Sequence, residues 1–406
     1  MKKHEEITER IVFLGEAGFP FGFAAIQRMT LMAKALVSGG CKATVVCRKG
    51  TWKPDDYPDF EPKGNYEGID YTYTSNSVVR PNGFIARNVQ KLKGMIGEYR
   101  YLGLLKRQGG LQAAVISNMS VLHVLRYYLY SRMIGFPIVW NFVELASSMK
   151  HRDSISKRIN DYVLDNWGIK LFDGALPISH KLMDCYTKAS PSKPCMKLPI
   201  ICDFDEFNLK PRDETDRVLL YCGAVSYTEL IEFVIDSFEA LDKVPENVFL
   251  GLVLGGRSDK LQQVQELIGK AQYKDQIRLL NNVPREEIPI LFSNASALLI
   301  PLRPTAQDEA RFPHKIGEYL ASGTPLITTA WGEINQYDFL DGETALVAKD
   351  FDKGLFAEKM EFVVGNPSKA KEIGLKGQQM GLANFDYSVH GKRLREYFLR
   401  FNKKSN

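Results

Sequence analysis

The residues with the clearest chemical potential lie in one stretch, 311–329. It is predicted as a helix that starts at Pro313 and leads into a strand. Arg311 and Lys315 lie at the helix start and Glu318 lies further on, against the order that the helix dipole favours. Basic side chains and free N–H groups at a helix start bind phosphate, and an inward carboxylate accepts hydrogen bonds from vicinal hydroxyls. The stretch is either a phosphate and ribose site or a solvated helix with a weak ion pair.

The rest of the sequence predicts the elements that would position such a site. Two stretches alternate short β-branched apolar runs with amphipathic helical patterns, which is typical of parallel sheets covered by helices. Strands are predicted at Ile11–Leu14, Ala43–Val46, Ala113–Ser117, Pro137–Trp140, Gly174–Pro177 and Lys197–Ile201, then at Val218–Tyr221, Val248–Leu254, Ile277–Leu280, Ala297–Ile300 and Leu326–Thr329.

This alternation predicts an α/β fold of two Rossmann-like, doubly wound parallel-sheet domains facing a central cleft. The first domain is predicted over 1–202 and the second over 218–385. Residues 203–217 are polar and charged, and we interpret them as a linker. Residues 386–406 are predicted as a basic helix and are a candidate to pack back on the N-terminal domain.

The composition is that of an ordinary globular protein. The chain has 406 residues, a formal net charge of +5, 45 % apolar residues and 25 % charged residues. These values exclude a disordered chain, a collagen-like repeat and a disulfide-rich miniprotein. The mild positive charge has no interleaved aromatic residues of a nucleic-acid-binding module, so no nucleic-acid partner is expected.

Cysteine and histidine spacings give no metal signature. The six cysteines form no C-x-x-C pair and the six histidines show no His-x3-His spacing. We therefore expect free thiols in a reducing compartment and no metal. The first ten residues are charged and no run of about 18 apolar residues occurs, so we expect a cytoplasmic protein without a secretory signal or membrane span.

The segment from Phe312 to Pro325 contains every fixed letter of the pattern Phe-Pro-x-Lys-x-x-Glu-Tyr-x-Ala-x-Gly-x-Pro. Through it the sequence resembles retaining glycosyltransferases of family 4, also called glycosyl transferases group 1. Further matching stretches, in the expected order, include Ala175–Ser179 and Val283–Ile288. The resemblance covers most of the chain and implies the GT-B fold, in which a sugar passes from a nucleotide diphosphate to an acceptor.

The resemblance also implies roles in donor binding. Glu318 would hold the ribose hydroxyls, residues 311–314 would face the diphosphate beside Lys315, and Val283 would lie against the base. Glycines of the N-terminal loop would allow the donor to approach closely, although a tight strand-to-helix turn explains them equally well. The donor-binding set is Gly18, Gly22, Gly223, Val283, Arg311, Pro313, His314, Lys315 and Glu318.

One motif departs from the family's pattern. The family's Gly-Arg-x4-Lys-Gly, whose cations neutralise the leaving diphosphate, has Ala224 and Glu229 here in place of Arg and Lys. Without such cations the protein would be a weak or degenerate transferase, unless other basic residues replace them. The candidates for replacement are Arg257, Arg303, Arg311 and Lys315.

For catalysis, the resemblance implies a same-face displacement in which the leaving phosphate helps to deprotonate the acceptor hydroxyl. Asn118 and Glu144 are candidates because each follows a predicted strand at its carboxyl end, where cleft residues lie. Helix capping or a surface position would explain either residue equally well. Glu309 is the third candidate, because the family's first carboxylate falls one residue away, at Ala310.

Residues 87–108 are predicted as a helix with six basic residues and a single acid. Val89, Leu92, Ile96 and Tyr99 lie along one face. Such a helix can lie on an anionic membrane and bring a lipid-linked acceptor to the cleft, although three glycines weaken it and an ordinary solvated helix is the alternative.

Our leading hypothesis is a metal-independent retaining glycosyltransferase that uses a nucleotide-diphosphate sugar, with no other cofactor. Its acceptor would be a saccharide or a lipid-linked molecule in surface polysaccharide assembly, at the inner membrane face or free in the cytoplasm. One alternative is a degenerate GT-B protein that binds a nucleotide or a partner transferase. Another is a nucleotide-sugar epimerase of the same fold.

Overall fold

The structure is a computed structural model that describes residues 9–401 except 16–17, 23, 55–58, 150–153, 208, 210–215 and 257. The described chain divides into two units. The N-terminal unit contains the residues up to Ile201 and those from Tyr387 onward, and the C-terminal unit is Cys202–Asp386. Each unit has its own largely parallel sheet flanked by helices, which confirms the predicted fold class.

The N-terminal unit has a seven-stranded sheet with the order β3-β4-β2-β1-β5-β6-β7. Its strands are β1 (Arg10–Leu14), β2 (Lys42–Cys47), β3 (Lys63–Tyr66), β4 (Ile69–Tyr73), β5 (Ala113–Ile116), β6 (Ile138–Phe142) and β7 (Gly174–Pro177). Its helices up to Ile201 are α1 (Ala24–Ser38), α2 (Phe84–Arg107), α3 (Val121–Ile134), α4 (Ile155–Asn166) and α5 (His180–Ala189).

Two predictions for this sheet differ from the structure. The edge strand β3 runs antiparallel to β4, and neither strand was predicted. The strand predicted at Lys197–Ile201 is wrong, although Leu198 donates its N–H to the carbonyl of Pro177. Pro199 has no N–H with which to continue that pairing, so the segment runs beside β7 without becoming a strand.

The C-terminal unit has a six-stranded, entirely parallel sheet with the order β10-β9-β8-β11-β12-β13. Its strands are β8 (Arg217–Ala224), β9 (Val248–Gly255), β10 (Ile277–Asn281), β11 (Ala297–Ile300), β12 (Leu326–Thr329) and β13 (Leu346–Ala348). Its helices are α6 (Phe204–Phe207), α7 (Thr228–Glu239), α8 (Ser258–Lys270), α9 (Ile288–Asn294), α10 (Ala306–Ala310), α11 (Lys315–Ala321), α12 (Lys353–Gly365) and α13 (Pro367–Phe385).

The segment predicted as a linker, 203–217, differs in its described part. Helix α6 lies in it, and both Phe204 and Phe207 are buried in the C-terminal unit. Asp386 accepts a hydrogen bond from the N–H of Phe204 at 3.2 Å. The two aromatic side chains explain the difference, because their burial outweighs the polar character of the surrounding sequence.

The last helix, α14 (Tyr387–Leu399), belongs to the N-terminal unit and packs on α1. The helices touch at Gly39 and Gly391, where a Cβ on Gly391 would lie 2.5 Å from the carbonyl oxygen of Ala35. Leu394 and Tyr397 of α14 are buried in the core of this unit. The chain therefore passes from the N-terminal unit into the C-terminal unit and then returns, and α14 completes the core of the N-terminal unit.

In both sheets the strand order reverses at one point. In the N-terminal unit the chain goes outward from β1 through β2 in one direction and from β5 in the other. In the C-terminal unit the same reversal separates β8 from β11. Open parallel sheets bind ligands at the carboxyl ends of the strands beside such a switch point, so the residues that follow β1, β5, β8 and β11 are the candidates for a ligand site.

Candidate functional site

At the switch point of the C-terminal unit, one buried carboxylate holds two arginines. Arg303 follows β11, and its Nε and its backbone N–H both lie 2.9 Å from Oδ2 of Asp308. Arg311 places Nη2 2.7 Å from the other carboxylate oxygen. Thr305 caps α10 by accepting the N–H of Asp308, which fixes the carboxylate between the arginines. We call Arg303, Asp308 and Arg311 the Asp308 cluster.

This cluster lies beside the position where the sequence departs from its expected motif. Glu229 stands where the pattern has Lys, and Nη1 of Arg303 lies 2.8 Å from its carboxylate. Burial alone would lower the pKa of Arg303, but Asp308 and Glu229 outweigh that effect and raise the pKa, so the guanidinium stays charged. Of the other suggested replacements, Arg257 lies outside the described residues.

A second charged group surrounds Glu318 on the buried face of α11. The Nζ of Lys315 lies 2.7 Å from Oε2 of Glu318, and Nη1 of Arg285 lies 2.8 Å from Oε1. Burial would raise the pKa of Glu318, but the two cations outweigh burial and hold the pKa below its usual value. We call Lys315, Glu318 and Arg285 the Glu318 cluster. Its carboxylate is ionised and fixed in position by two ion pairs.

The helix that carries this carboxylate begins later than predicted. Helix α11 starts at Lys315, so Pro313 precedes the helix instead of opening it, and His314 is the cap residue. The carbonyls of Pro313 and His314 accept the N–H groups of Ile316 and Gly317. Glu318 therefore lies within the first turn, where the helix dipole favours a negative charge. The charge order is less unusual than the sequence suggested.

Arg285 was given no role by the sequence analysis. Asn282, with φ +53°, turns the chain after β10, and Val283 and Pro284 lead into the short helical turn that starts at Arg285. The loop predicted to face a base therefore also brings a cation to Glu318. In the sequence, the family resemblance at Val283–Ile288 indicated this loop. Nothing in the residue spacing linked Arg285 to Glu318, which lies 33 residues later.

Both clusters lie beside the end of β8. The ring hydroxyl of Tyr319 accepts the N–H of Cys222 at 2.9 Å, which ties α11 to the strand. A Cβ at Gly223 would lie 2.6 Å from the hydroxyl oxygen of Tyr221, so only glycine fits there. The predicted donor residues Gly223, Arg311, Lys315 and Glu318 are thus brought to one edge of one sheet. Glu309 is half-buried on α10, and its backbone lies close to Gly332.

At the switch point of the N-terminal unit, the described groups next to the ends of β1 and β5 are neutral. Gly15 ends β1 with φ +105°, and a Cβ there would lie 2.8 Å from the carbonyl oxygen of Ser117. Asn118 donates to the carbonyl of Gly15 at 3.4 Å and accepts the N–H of Ser120 at 2.8 Å. The second contact is a local turn that leads into α3, so the capping role considered for Asn118 is present.

Asn118 also lines a cavity of about 450 Å³ in the N-terminal unit. The cavity lies between the start of α3 and α4, and Asn160 reaches across it by donating to the carbonyl of Met119 at 2.8 Å. Its other polar side chains are hydroxyls, an imidazole and an ammonium group, from Ser120, His123, Ser156 and Lys157. Such a lining suits a ligand rich in hydroxyl groups.

A buried arginine on α1 connects β6 to the segment that runs beside β7. The Nε of Arg28 donates to Oδ1 of Asn141 at 3.1 Å, and the rest of its guanidinium donates to the carbonyls of Leu198 and Pro199. Asn141 in turn donates to the hydroxyl of Ser117 at 3.1 Å. Burial lowers the pKa of Arg28 to about 9. We call Arg28, Asn141 and Ser117 the Asn141 network.

The remaining predicted residues of this unit lie around the same edge. Gly18 has φ +113°, so its conformation alone favours glycine, and the hydroxyl of Tyr73 supports its loop by donating to Phe19. Gly22 is exposed, and a Cβ there would lie 2.5 Å from the side chain of Ile26. Glu144 is half-buried just after β6. The two glycines therefore have structural explanations that need no ligand.

Basic residues surround His123 on the rim of the cavity. Burial lowers the pKa of His123 to about 4, and four nearby cations act in the same direction, namely Arg48, Arg126, Lys49 and Lys91. Glu98 on α2 is fully buried and lies 3.2 Å from Nη2 of Arg126. The imidazole is therefore neutral at pH 7 and can donate or accept a hydrogen bond without adding charge.

Among the described residues, no group of three or more His, Cys, Asp or Glu side chains has a geometry that could hold a metal ion. Within the same part of the chain, no helix is both long and apolar enough to cross a membrane. The charged chemistry of the C-terminal unit consists of fixed arginine, lysine and carboxylate groups. Such groups can hold an anion and orient hydroxyls by charge-assisted hydrogen bonds.

Residues 204–380 match the family model described as glycosyl transferases group 1. This match covers the C-terminal unit almost completely and includes the Asp308 and Glu318 clusters. Comparison with curated protein sequences gives no significant match.

Solved structures similar to the whole chain share its fold. Sucrose-phosphate synthase from Thermosynechococcus elongatus is 14 % identical with a TM-score of 0.73, over 98 % of this chain and 100 % of that one. HepE from Anabaena, in complex with UDP and glucose, is 14 % identical with a TM-score of 0.69, over 97 % and 100 %. A glycosyltransferase from Rickettsia africae ESF-5 is 12 % identical with a TM-score of 0.67, over 98 % and 100 %. At these identities the similarity establishes the GT-B fold.

Proposed function

We propose that this protein is a retaining glycosyltransferase that moves a sugar from a nucleotide-diphosphate donor to a saccharide or lipid-linked acceptor. The observation that carries the proposal is the pair of charged clusters at the switch point of the C-terminal unit, inside the segment that matches the family model. The UDP and UDP-glucose complexes of HepE support a nucleotide-sugar ligand for the shared fold.

In the proposed reaction the C-terminal unit stabilises the leaving diphosphate. Negative charge grows on the diphosphate as the bond to the sugar breaks, and fixed cations stabilise that charge without reorganising. Arg303 and Arg311 are held in place by Asp308 before any ligand arrives. We propose that they replace the Arg and Lys absent at Ala224 and Glu229, and that the reaction needs no metal ion.

Donor recognition is assigned to the Glu318 cluster. The ionised carboxylate of Glu318 accepts hydrogen bonds, so it can hold the ribose hydroxyls while Lys315 faces the phosphates. We propose that Val283 lies against the base, since its loop leads directly to Arg285. Pro313 and His314 would contribute backbone groups, and Gly223 would leave room for the donor beside β8.

Acceptor chemistry is assigned to the N-terminal unit. Asn118 faces a cavity with polar lining, which suits hydroxyl groups of a sugar. We propose that the departing phosphate takes the acceptor proton, while Asn118, Glu144 and Glu309 orient the reacting groups. Gly18 and Gly22 would border the transferred sugar. Surface polysaccharide assembly in the cytoplasm is the setting proposed from the family resemblance.

Calorimetric titration with UDP, GDP, ADP and their common sugar conjugates, without and then with Mg²⁺, tests the donor site. We expect one nucleotide to bind in the micromolar range without metal, and its sugar conjugate to be consumed once a suitable acceptor is present. Arg303→Met should weaken that binding, whereas Arg278→Met should not, because Arg278 pairs with Asp216 outside the clusters. Absence of binding across the whole panel would contradict the proposal.

A second function is favoured by Ala224 and Glu229. A degenerate protein of this fold would bind a nucleotide and not turn it over, and its lost cations would be the cause. Binding of a nucleotide sugar with neither transfer to an acceptor panel nor slow hydrolysis would support this alternative. Release of the free sugar during long incubation would support the transferase.

A further inference from the structure

Three consecutive helices of the N-terminal unit direct apolar side chains outward. On α2 these are Ile85, Val89, Leu92 and Ile96, at the i, i+4, i+7 and i+11 spacing of a single helix face, and Ile85 is 78 % exposed. The buried face of α2 is a different one, formed mainly by Gly94, Glu98, Leu102 and Leu105. The apolar stripe that would normally pack inward therefore faces solvent.

The next two helices also expose an apolar stripe to solvent. Helix α3 exposes Leu122, Leu125, Leu129 and Met133, again on one face, and Leu122 is 76 % exposed. It buries Val124 and Tyr127 instead. Helix α4 exposes a third stripe consisting of Ile155, Ile159 and Tyr162.

The three stripes belong to one side of the sheet. Helices α2, α3 and α4 connect β4 to β5, β5 to β6 and β6 to β7, so all three crossovers proceed in the same direction along the sheet. Right-handed crossovers of one direction lie on one side of a parallel sheet. Helix α3 also packs against both α2 and α4. We call the exposed side of these three helices the outer helical face.

The C-terminal unit has no comparable surface among its described residues. Its exposed large apolar side chains are Leu209, Leu280, Leu340, Leu375 and Leu382, and of these only Leu375 and Leu382 share an element, helix α13. Scattered residues of this kind are usual on soluble proteins, whereas a contiguous apolar surface marks an interaction site.

Charge on the outer helical face indicates which partner covers it. Exposed basic side chains accompany the stripes, including Lys93 and Arg100 on α2 and Lys157 and Arg158 on α4. Along α2, α3 and α4, all of whose residues are described, no carboxylate is exposed. Glu98 and Asp161 are buried, and the half-buried Asp165 accepts the N–H groups of Ala146 and Ser147. A surface that is apolar and purely basic is complementary to an anionic bilayer.

We propose that the outer helical face is a docking surface for an anionic lipid bilayer. The apolar stripes would enter the boundary between headgroups and acyl chains, and the basic residues would contact anionic headgroups. This extends the membrane contact expected for residues 87–108 to α3 and α4, two helices that the sequence did not indicate. The inference does not require the proposed transferase function, although it would hold the polar cavity at Asn118 near a lipid-linked acceptor.

Sedimentation of the full chain with vesicles tests the docking surface. We expect binding to phosphatidylcholine vesicles that contain phosphatidylglycerol, and weaker binding to phosphatidylcholine alone. The triple variant Ile85→Glu, Leu122→Glu, Ile159→Glu should lose this binding, because each substitution puts a carboxylate into one stripe. Lys93→Gln and Lys157→Gln should each lower the affinity for the anionic vesicles about fivefold.

The C-terminal unit offers a matched control. The variant Leu340→Glu, Leu375→Glu, Leu382→Glu makes three similar changes at exposed positions outside the face and should bind vesicles like the wild type. Unchanged thermal unfolding of both variants would show that folding is preserved. Nucleotide titration without vesicles is a separate readout, so failure of membrane docking and failure of donor binding are distinguishable.

Two results would overturn the proposal. One is no binding of the wild type to the anionic vesicles, or equal binding by the wild type and the Ile85, Leu122, Ile159 triple variant. The other is concentration-dependent dimerisation in analytical ultracentrifugation that the same triple variant abolishes, since a second copy of the chain would then cover the face.

Discussion

The two switch points have similar backbone topology and opposite chemistry. In the C-terminal unit the residues beyond β8 and β11 are charged, and every described cation of the Asp308 and Glu318 clusters has a carboxylate within about 3 Å. In the N-terminal unit the described groups at the ends of β1 and β5 are the carbonyl of Gly15, the hydroxyl of Ser117 and the amide of Asn118. The carboxyl ends of the strands therefore carry fixed charged groups that suit an anion in the C-terminal unit, and neutral groups that suit hydroxyls in the N-terminal unit.

The contrast between the two edges shows how buried positive charge is held in position. An unpaired buried arginine costs free energy, whereas one that is paired with a carboxylate is fixed in place and stays charged. The Asp308 cluster follows this rule. Arg28 in the Asn141 network does not, since it donates to an amide oxygen and two carbonyls, and burial lowers its pKa to about 9. Burial therefore lowers the pKa of Arg28, whereas the carboxylates beside Arg303 raise its pKa.

The largest expected effect is from Asp308→Ala. The substitution leaves Arg303 and Arg311 without their shared buried carboxylate, and we expect the C-terminal unit to lose about 3–5 kcal/mol of unfolding free energy. Urea denaturation monitored by circular dichroism measures this loss. Asp216→Ala, which removes an exposed partner of Arg278, is the control and should change stability by less than about 1 kcal/mol. Equal effects of both variants would show that the cluster is not a special feature of this edge.

Glu318→Gln should have the next largest effect. The amide keeps the size of the side chain and removes the charge that Lys315 and Arg285 share, so we expect nucleotide affinity to fall by roughly 1–3 kcal/mol. Folding should also weaken, because Lys315 and Arg285 both lose their partner carboxylate. Calorimetric titration and urea denaturation measure the two effects. Unaltered affinity would remove Glu318 from the donor site.

A pH dependence distinguishes the N-terminal edge. The pKa of His123 is lowered to about 4 in the folded protein, against about 6.5 in an unfolded chain. The unfolded state then binds the proton more readily, so stability falls as the pH drops from about 6.5 to about 4. Since the ring is only half-buried, we expect the loss to be about 1–2 kcal/mol after solvent screening.

His123→Gln should remove that part of the pH dependence, measured by urea denaturation at pH 7 and pH 4.5. His180→Gln changes a histidine of the same unit beside Lys197, away from the cavity, and serves as the control. If His123→Gln leaves the slope of stability with pH unchanged, the basic residues around the cavity do not act on this ring.

The smallest effect on folding is expected for Glu229→Gln. Glu229 is 62 % exposed, so its pair with Arg303 should contribute less than about 1 kcal/mol to stability. Removing the carboxylate frees one nitrogen of Arg303, and we expect nucleotide-diphosphate affinity to rise two- to fivefold, on the order of one weak ion pair. Titration of the variant measures this, and a decrease in affinity would mean that Glu229 itself contacts the ligand.

Much of the fold was predictable because most of its strands are uninterrupted, buried apolar runs. Gly174–Pro177, Ala297–Ile300 and Leu326–Thr329 have the bounds that the sequence predicted. Strand β4 alternates buried and half-buried residues, and β3 carries no apolar run at all, so neither has that signal. The edge strands β3 and β13 were missed together with β4, whereas the edge strands β7 and β10 were predicted because they carry apolar runs.

For the candidate site, the sequence indicated residues of local motifs and missed contacts between distant ones. Lys315 and Glu318 are three residues apart, so their pairing could be anticipated. The pairs of Arg285 with Glu318 and of Arg303 with Glu229 join residues far apart in sequence, and only the folded sheet brings them together. Positions that depend on strand order cannot be obtained from helical or strand periodicity.

Helix α2 shows a further limit of predicting a packing face from hydrophobic periodicity. The sequence predicted a helix with Val89, Leu92 and Ile96 on one face and regarded its glycines as weak points. In the structure the glycine side packs inward, since a Cβ at Gly94 would lie 1.8 Å from the carbonyl oxygen of Arg48. Small residues allow two backbones to approach closely, so they can define a packing face that hydrophobicity alone does not identify.

The return of α14 to the N-terminal unit has a consequence for biosynthesis. Leu394, Tyr397 and Phe398 complete the core of this unit, yet the ribosome makes them only after all of Cys202–Asp386. At about 5–20 residues per second, that interval lasts on the order of ten to forty seconds. During it the nascent N-terminal unit exposes the groove on α1 that α14 will fill. The second unit of the chain can therefore finish folding before the first, and a chaperone that shields the groove would act in this interval.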